Sequence, residues 1–349
     1  MDRPWSSAGL CQTAAVASSS SAVSVLALDS ASLYYRSYYA LPSSMTAPDG
    51  RPHNALRGFL STIARLVEAY RPEGVVAAWD EDWRPQWRVD LLPSYKAHRV
   101  LGASVEAEDG HGHAPTGEAE GAESDAEDEP EDLGPQVGAI AQVLDALGIP
   151  RWGVPAHEAD DVLGSLAAQR QLWPASSGGC LVVTGDRDLV QVIDDRTSVL
   201  LTVNGGMEKW PVLDPSGAQE RFGVPASHYV DMAVLRGDPS DGLPGVPGVG
   251  AKTAVALVEA FGSLDDVVAA AAAAASRPMT PRIADRILAS ADELARARIV
   301  SSVVRELELP GDVPRVSALE PDEERIHAVA SVWGVTRQVE ELRRALSAS

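Results

Sequence analysis

The fold of this chain is predicted from LVVTGDRD, residues 181–188. Apolar and β-branched residues run straight into a glycine and two aspartates, as at the carboxyl end of a buried parallel strand. Comparable runs rich in Val, Leu and Ala lie at 23–28, 75–79 and 198–203, and helical patterns separate them. Strands that alternate with helices form parallel sheets, because a parallel connection needs a crossover. We therefore predict an α/β fold with a central, mainly parallel sheet covered by helices on both faces.

Two segments of the chain carry the periodicity of amphipathic helices. Residues 54–70 place their large apolar side chains on one face, with Asn54 as a candidate cap at the start and Pro72 just past the end. Residues 136–147 show the same spacing of apolar side chains. Both segments are expected to pack against the sheet.

Composition divides the chain into regions. Residues 1–23 are rich in serine and alanine and predict a flexible extension with no signal peptide. A sheet-based domain is expected over 24–230. A helical subdomain is expected over 231–349, with an alanine run at 269–275 and an amphipathic stretch at 322–346. No stretch is long and apolar enough for a membrane span, so no membrane partner is expected.

The net charge of −21 is unevenly distributed over the 349 residues. Residues 102–135 contain twelve acidic residues and no lysine or arginine, and so supply −12 of it. This acidic insert is poor in apolar residues and is predicted to be disordered. Cys11 and Cys180 form neither a disulfide framework nor a metal-binding pair, so a reducing cytoplasm is expected.

Nine carboxylates adjoin predicted strands or helix starts: Asp29, Asp80, Glu158, Asp160, Asp161, Asp186, Asp188, Asp238 and Asp241. Parallel strands place such residues together at one sheet edge, although helix capping alone would also account for Asp160 or Asp161. Gathered carboxylates repel one another unless a cation lies between them. Oxygen ligands suit Mg²⁺ or Mn²⁺, and two such ions commonly cleave phosphodiesters. The sequence thus predicts the metal site of a nuclease.

A glycine-rich loop follows the last of these acids. It is GLPGVPGVGAKTA, residues 242–254, with glycines at 245, 248 and 250. Glycine lets a backbone approach a phosphate closely, and Lys252 and Thr253 add a charge and a hydroxyl in the following helix. The pattern resembles a helix-hairpin-helix that binds duplex DNA over 242–262, and a plain tight turn between two helices is the alternative.

A basic and aromatic segment forms a second candidate DNA contact. It contains Trp83, Arg84, Trp87 and Arg88, followed by SYKAHR at 94–99. Aromatic rings can stack on unpaired bases while basic side chains neutralise phosphates. The sequence therefore predicts DNA contacts from Arg84 and Arg88.

Five segments of this sequence resemble the 5′-nuclease family, which includes the exonuclease domain of bacterial DNA polymerase I, its stand-alone relatives and the flap endonucleases. They span residues 24–262 and read LALDSASLYYRSYYALP, AAWDEDWRPQWRVDLLPSYKAHR, GIPRWGVPAHEADDVLGSLA, VVTGDRDLVQVI and LRGDPSDGLPGVPGVGAKTA. The resemblance implies a PIN-like domain followed by a helix–three-turn–helix motif. It implies a structure-specific 5′→3′ exonuclease and flap endonuclease that uses two Mg²⁺ or Mn²⁺ ions and leaves a 5′-phosphate and a 3′-hydroxyl.

The resemblance also assigns roles to single residues. The first metal would be held by Asp29, Asp80, Glu158 and Asp160. The second would be held by Asp186, Asp188, Asp238 and Asp241, with Asp161 between the two. The scissile phosphate and the frayed 5′ nucleotide would be gripped by Arg36, Tyr95, Lys96 and Arg99. A K⁺ ion at the hairpin loop, a DNA or RNA–DNA substrate with a free 5′ end or flap, and a functional partnership with a polymerase and a ligase are further implications.

The sequence departs from the family at three points. SDG at 240–242 replaces the usual SDN, the acidic insert follows Arg99 where relatives build a helical arch, and about 90 helix-rich residues follow the motif instead of a polymerase domain. Two other classes of protein are alternatives. They are a catalytically silent DNA-junction binder, which the retained acids disfavour, and a PIN-type ribonuclease toxin, which the hairpin motif and the length disfavour.

Overall fold

A six-stranded sheet lies at the centre of the fold in the computed structural model, which describes residues 22–100, 129–175 and 178–349. Its strands are β1 (Val23–Asp29), β2 (Gly74–Ala78), β3 (Arg151–Trp152), β4 (Gly179–Thr184), β5 (Thr197–Leu201) and β6 (Val212–Leu213). Their order is β3-β2-β1-β4-β5-β6, with β6 antiparallel to β5 and all other pairs parallel. The predicted mainly parallel sheet is confirmed. The two-residue strands β3 and β6 were not predicted, because they are too short to show a pattern.

The helices of the first part of the chain are α1 (Ser30–Ala40), α2 (Asn54–Tyr70), α3 (Gln86–Leu91), α4 (Gly134–Leu147), α5 (Ala159–Ala168) and α6 (Pro215–Phe222). The prediction over 54–70 matches α2, but Asn54 does not cap it. The Asn54 side chain donates instead to the carbonyl oxygens of Tyr38 and Leu41. The first N–H groups of α2 are accepted by Gln136 Oε1 from α4, at 2.8 Å for Ala55. A side chain distant in sequence therefore replaces the local cap.

The remaining helices are α7 (Tyr229–Arg236), α8 (Ala251–Phe261), α9 (Leu264–Ala272), α10 (Pro281–Ala289), α11 (Ala291–Ser301), α12 (Glu323–Trp333) and α13 (Thr336–Ser347). The stretch predicted as amphipathic over 322–346 thus forms two helices, because Gly334 adopts a left-handed conformation between them. No described helix has the length and apolarity of a membrane span.

Alternate residues of β1, β2, β4 and β5 enter two separate cores, one on each face of the sheet. Leu26 and Leu28 of β1 join the core formed with α2 and α4, whereas Val25 and Ala27 join the core that extends to α5 and α7. This alternation follows from the two-residue period of a strand. The expectation of helices on both faces is confirmed.

The C-terminal helices differ from the prediction of one helical subdomain over 231–349. Helix α12 packs on α4, and α13 packs on α2. Trp333 and Leu342 are buried in the same core as α2, on the face of the sheet away from α7. The chain therefore returns to the sheet after α11, because the apolar faces of α12 and α13 complete that core.

The predicted terminal and insert segments fall largely outside the described residues. Of the extension predicted over 1–23, only residues 22 and 23 are described, and Val23 already begins β1. Of the insert predicted over 102–135, residues 129–135 are described, and α4 begins within them at Gly134. Residues 129–135, predicted as part of the insert, lead directly into α4.

Candidate active site

The carboxyl edge of the sheet positions the first acidic residues. Asp29 ends β1 and caps α1, with Oδ1 accepting from Ser32 N at 3.0 Å and Oδ2 from Thr184 Oγ1 at 2.6 Å. Asp80 follows β2 and accepts the N–H of Ala159 at 2.8 Å, in the first turn of α5. Asp186 follows β4, and its N–H is accepted by the same Thr184 hydroxyl at 2.8 Å. Thr184 thus fixes two strand ends relative to each other, a role that the sequence reasoning missed although the residue directly precedes the Gly-Asp pair.

Burial and mutual repulsion perturb the acids at this edge. Burial raises the pKa of Asp29 to about 7, with smaller contributions from Asp80 and Asp186. Burial also raises the pKa of Asp160 well above its usual value, and the charges of Asp186 and Asp29 add to the rise. One cleft is lined by Asp29, Asp80, Glu158, Asp160 and Asp186. The structure therefore brings together the four predicted ligands of the first metal and their neighbour Asp186.

A second acidic group adjoins the first. Burial raises the pKa of Asp188 well above normal, and Asp186, Asp241 and Asp238 add to the rise. Burial likewise raises the pKa of Asp241 to about 6, against the opposing charge of Lys96. The group lines a cleft of about 270 Å³, which shares Gly185 and Asp186 with a larger cleft of about 630 Å³ that contains the first group. Asp186 is therefore common to both.

The donor chemistry of these two groups fits divalent cations. Carboxylate oxygens are the ligands that Mg²⁺ and Mn²⁺ prefer. Burial chiefly, and neighbouring carboxylates in addition, raise the pKa values of Asp29 and Asp188, and a bound cation would favour their ionised forms. In the part of the chain that the structure describes, no three acidic, histidine or cysteine side chains converge closely enough to hold an ion as they stand. Ion binding therefore requires side-chain movements.

Glu158 accepts hydrogen bonds from three side chains of the site. It is buried at the start of α5 and accepts from Tyr95 Oη at 2.8 Å, from Arg88 Nη1 at 3.1 Å and from Lys96 Nζ. Burial alone would lower the pKa of Lys96, but its pairing with Glu158 raises that pKa well above its usual value. Glu158 and Lys96, predicted for the metal and the phosphate, are thus direct partners.

The structure corrects the predictions for Arg88 and Asp161. Arg88 is only 2% exposed, so it is not a DNA contact. Both oxygens of Asp161 accept from its guanidinium, at 2.7 and 2.9 Å, and Asp161 also accepts from Val304 N. Asp161 is fully buried in this pair and lines neither of the two acidic clefts. The sequence showed a basic segment but not that α3 turns Arg88 inward against α5.

The loop at 94–99 brings Lys96 and Arg99 to the acidic cleft of about 630 Å³. Tyr95 is buried, Lys96 adopts a left-handed backbone with φ of 48°, and Arg99 donates to Ser240 O at 2.7 Å and to Asp241 Oδ1 at 3.1 Å. Arg84, predicted to contact DNA, donates to Tyr95 O at 2.6 Å and to Pro93 O at 3.1 Å. It therefore braces this loop.

Arg36 lies apart from the carboxylates. It donates to the carbonyl oxygens of Val203 and Gly205, and its guanidinium lies 5.0 Å from the ring centre of Trp210. It lines a neighbouring cleft of about 690 Å³ that shares Ser32, Tyr35 and Gly185 with the acidic cleft of about 630 Å³. A substrate strand that leaves the acidic edge on this side would meet Arg36.

Gly242, the departure from SDN, lies directly against the loop at 94–99. Ser94 Oγ donates to Gly242 O at 2.8 Å, and Lys96 N donates to Asp241 O at 3.2 Å. Gly242 has φ of +71°, and a Cβ there would collide with the Ser94 carbonyl group. An asparagine therefore does not fit here, and glycine permits the close approach of the two loops.

The three hairpin glycines have three different roles. A Cβ on Gly245 would collide with the backbone of Gly237 at the end of α7, so this glycine permits packing within the protein. A Cβ on Gly248 would collide with the guanidinium of Arg286. The prediction that these glycines let the backbone approach a phosphate requires open space beside each of them. Of the three, only Gly250, which precedes α8, faces open space. Lys252 is exposed and Thr253 half-buried in the first turn of α8.

Comparisons with known proteins agree with this arrangement. Residues 24–223 match the model of the 5'-3' exonuclease N-terminal resolvase-like domain, and residues 224–324 match that of the 5'-3' exonuclease C-terminal SAM fold. A 5'-3' exonuclease of Streptomyces coelicolor is 43% identical over 322 residues, which are 92% of this chain and 99% of that protein. A DNA polymerase I of Mycobacterium bovis is 32% identical over 87% of this chain and 30% of its own length.

A solved structure shows the same fold. The bacteriophage T5 flap endonuclease, in a complex with DNA and metal ions, superposes with a TM-score of 0.57 at 16% identity, covering 93% of this chain and 99% of its own. The fold and the acidic edge together define a nuclease. The chain belongs to the 5′-3′ exonuclease family.

Proposed function

We propose that the protein is a Mg²⁺-dependent, structure-specific 5′→3′ exonuclease and flap endonuclease that leaves a 5′-phosphate and a 3′-hydroxyl. The observation that carries the proposal is the sharing of Asp186 between two adjoining acidic groups, in clefts that meet at Gly185 and Asp186. Metal ions and DNA are bound in the related T5 structure, which supports both a divalent cofactor and a DNA substrate.

Two divalent cations would supply, when bound, an activated water and a stabilised leaving oxygen. Asp29, Asp80, Glu158 and Asp160 would hold the first, and Asp186, Asp188, Asp238 and Asp241 the second. Glu158 and Asp241 would then turn from Lys96 and Arg99 toward the cations. The two released basic side chains would take the scissile phosphate as their new partner, with Tyr95 holding the loop against Glu158.

The hairpin at 245–250 would bind the duplex on the uncleaved side of the substrate. Lys252 and Thr253 would contact phosphates, and backbone carbonyl oxygens of the turn would suit a K⁺ ion. Such contacts carry no base sequence, so selection would rest on the shape of the DNA and on its free 5′ end. RNA-primed DNA and flaps are then suitable substrates, and a polymerase and a ligase would act on the product.

The decisive test uses a duplex with a labelled 5′ flap. We expect cleavage with Mg²⁺ and none in EDTA. Asp186→Asn should lower the cleavage rate by several orders of magnitude while the flap duplex is still bound in EDTA. Glu324→Gln, which neutralises an exposed carboxylate on α12, should cleave like the wild type.

Two results would decide against the proposal. Cleavage by Asp186→Asn at the wild-type rate would show that the acidic edge is not the active site. Tight binding without cleavage under any divalent cation would instead support the alternative of a silent DNA-junction binder.

A further inference from the structure

The guanidinium of Arg286 lies on the hairpin loop although α10, which carries it, is distant in sequence from the motif. Its Nη1 donates to Pro247 O at 2.6 Å. It occupies the space that a side chain on Gly248 would fill, and Gly248 holds φ of +81°. The glycine and the arginine therefore form one unit, in which the missing side chain admits the guanidinium.

The position of this guanidinium is open to a ligand. Pro247, Gly248 and Gly250 are exposed, and Arg286 itself is half-buried. Arg286 takes part in none of the ion pairs among the described residues, whereas Arg236 and Arg298 pair with aspartates. In a chain with a net charge of −21, a cation that has no carboxylate partner and is fixed at a surface loop is available to an anion.

We propose that Arg286 binds a backbone phosphate of duplex DNA at the hairpin, a role that rests on the proposed function of this loop. The bond to Pro247 uses one of the five donors of the guanidinium and fixes its orientation, which leaves a planar, permanently charged group for phosphate. Lys252 is exposed in the first turn of the adjoining helix and is unpaired among the described ion pairs, so the two cations would clamp the same stretch of backbone.

The test is the salt dependence of binding, measured by fluorescence anisotropy with a 5′-flap duplex in EDTA between about 50 and 300 mM KCl. A lost phosphate contact reduces the slope of log Kd against log salt by about one. We expect Arg286→Ala to weaken binding about tenfold at low salt and to reduce the slope in this way. Arg286→Lys keeps the charge and should retain the slope.

Two further variants separate this role from simpler explanations. Arg325→Ala removes the same charge from α12, which packs on α4, and should bind like the wild type. Gly248→Ala places a methyl group against the end of the flexible Arg286 side chain, so it should displace the guanidinium and lose affinity as Arg286→Ala does. The double variant should then be little worse than either single variant, because both changes remove one contact.

The proposal is overturned if Arg286→Ala has the same Kd and slope as Arg325→Ala. It is also overturned if Arg286→Lys loses as much affinity as Arg286→Ala with no change in slope, since Arg286 would then only brace the loop. Thermal melting of each variant checks its fold. If Arg286→Ala does not fold, the Kd and the salt slope of Gly248→Ala provide the test instead. Failure of the proposed function is distinguishable, because it would appear as an absence of flap cleavage by the wild type.

Discussion

At the scale of single residues, Gly242 shows how one backbone position controls a reactive loop. Its left-handed conformation and its missing side chain allow the carbonyl of Ser94 to approach, and the next two residues are Tyr95 and Lys96, which both bond to Glu158. The glycine at this point of the SDG sequence is therefore matched to the path of the 94–99 loop.

We expect Gly242→Asn, which restores the usual family residue, to lower single-turnover cleavage by about tenfold or more. The new Cβ would push Ser94 away and move Lys96 off its position, and a misplaced catalytic group costs rate steeply. Gly50→Asn is a matched control, because Gly50 also has positive φ, at +91°, but nothing lies within 4 Å of its missing Cβ. Equal cleavage rates for the two variants would contradict this account.

At the scale of elements, Arg88 ties three parts of the chain together. From α3 it reaches Asp161 in α5, and its Nε donates to Val300 O in α11 at 2.9 Å. Asp161 in turn accepts from Val304 N beyond that helix. The side chains of Arg88 and Asp161 are 3% and 0% exposed, so each charge depends on the other. This buried ion pair is thus one of the contacts that join the sheet domain to the helical part.

Removing one member of a buried pair leaves the other charge without a partner, which costs about 3–5 kcal/mol. We therefore expect Arg88→Met to lower the free energy of unfolding by about that amount in urea titration. Asp161→Asn should be destabilising as well, since the guanidinium keeps only Glu158. Arg170→Ala breaks exposed pairs with Asp194 and Asp195 and should have little effect. A loss of under about 1 kcal/mol for Arg88→Met would show that the pair is not structural.

At the scale of the whole molecule, the acidic edge makes stability depend on pH and on divalent cations. Burial chiefly raises the pKa of Asp29 to about 7 and that of Asp241 to about 6. In the unfolded chain such carboxyls ionise near a pKa of about 4. Between these values the folded protein holds protons that the unfolded chain has released, so rising pH lowers the free energy of unfolding.

We expect the melting temperature in EDTA to fall between pH 5 and pH 8, and to fall less with Mg²⁺, because a cation replaces the lost protons in relieving the repulsion. Asp29→Asn removes the carboxyl whose pKa is raised further of the two and should flatten the fall in EDTA. Calorimetry over this range measures both effects. A wild-type fall that is unchanged in Asp29→Asn would show that Asp29 is not its source and would assign the pH dependence to other groups, such as Asp160, Asp188 and Asp241.

The sequence by itself determined the parallel sheet, the helix over 54–70 and the acids at the sheet edge. These features are local: strands and helices have short periods, and a residue that follows a buried strand must lie at its end. The hairpin motif was equally visible, because its turns require glycine at fixed positions, as Gly245 and Gly248 show with positive φ. The match of the chain to its family follows from the same segments.

The tertiary structure alone decided which charges are free and which are used inside the protein. Arg84 belongs to the basic segment, yet it braces the loop at 94–99. Arg88 belongs to the same segment, yet it pairs with Asp161 and so joins α3 to α5. Arg286 belongs to no motif, yet it lies on the hairpin. Likewise α12 and α13 follow the hairpin region in sequence but complete the core with α2 and α4. The physical reason is that burial and partnership depend on which helix faces pack together, and residues far apart in the chain fix that packing.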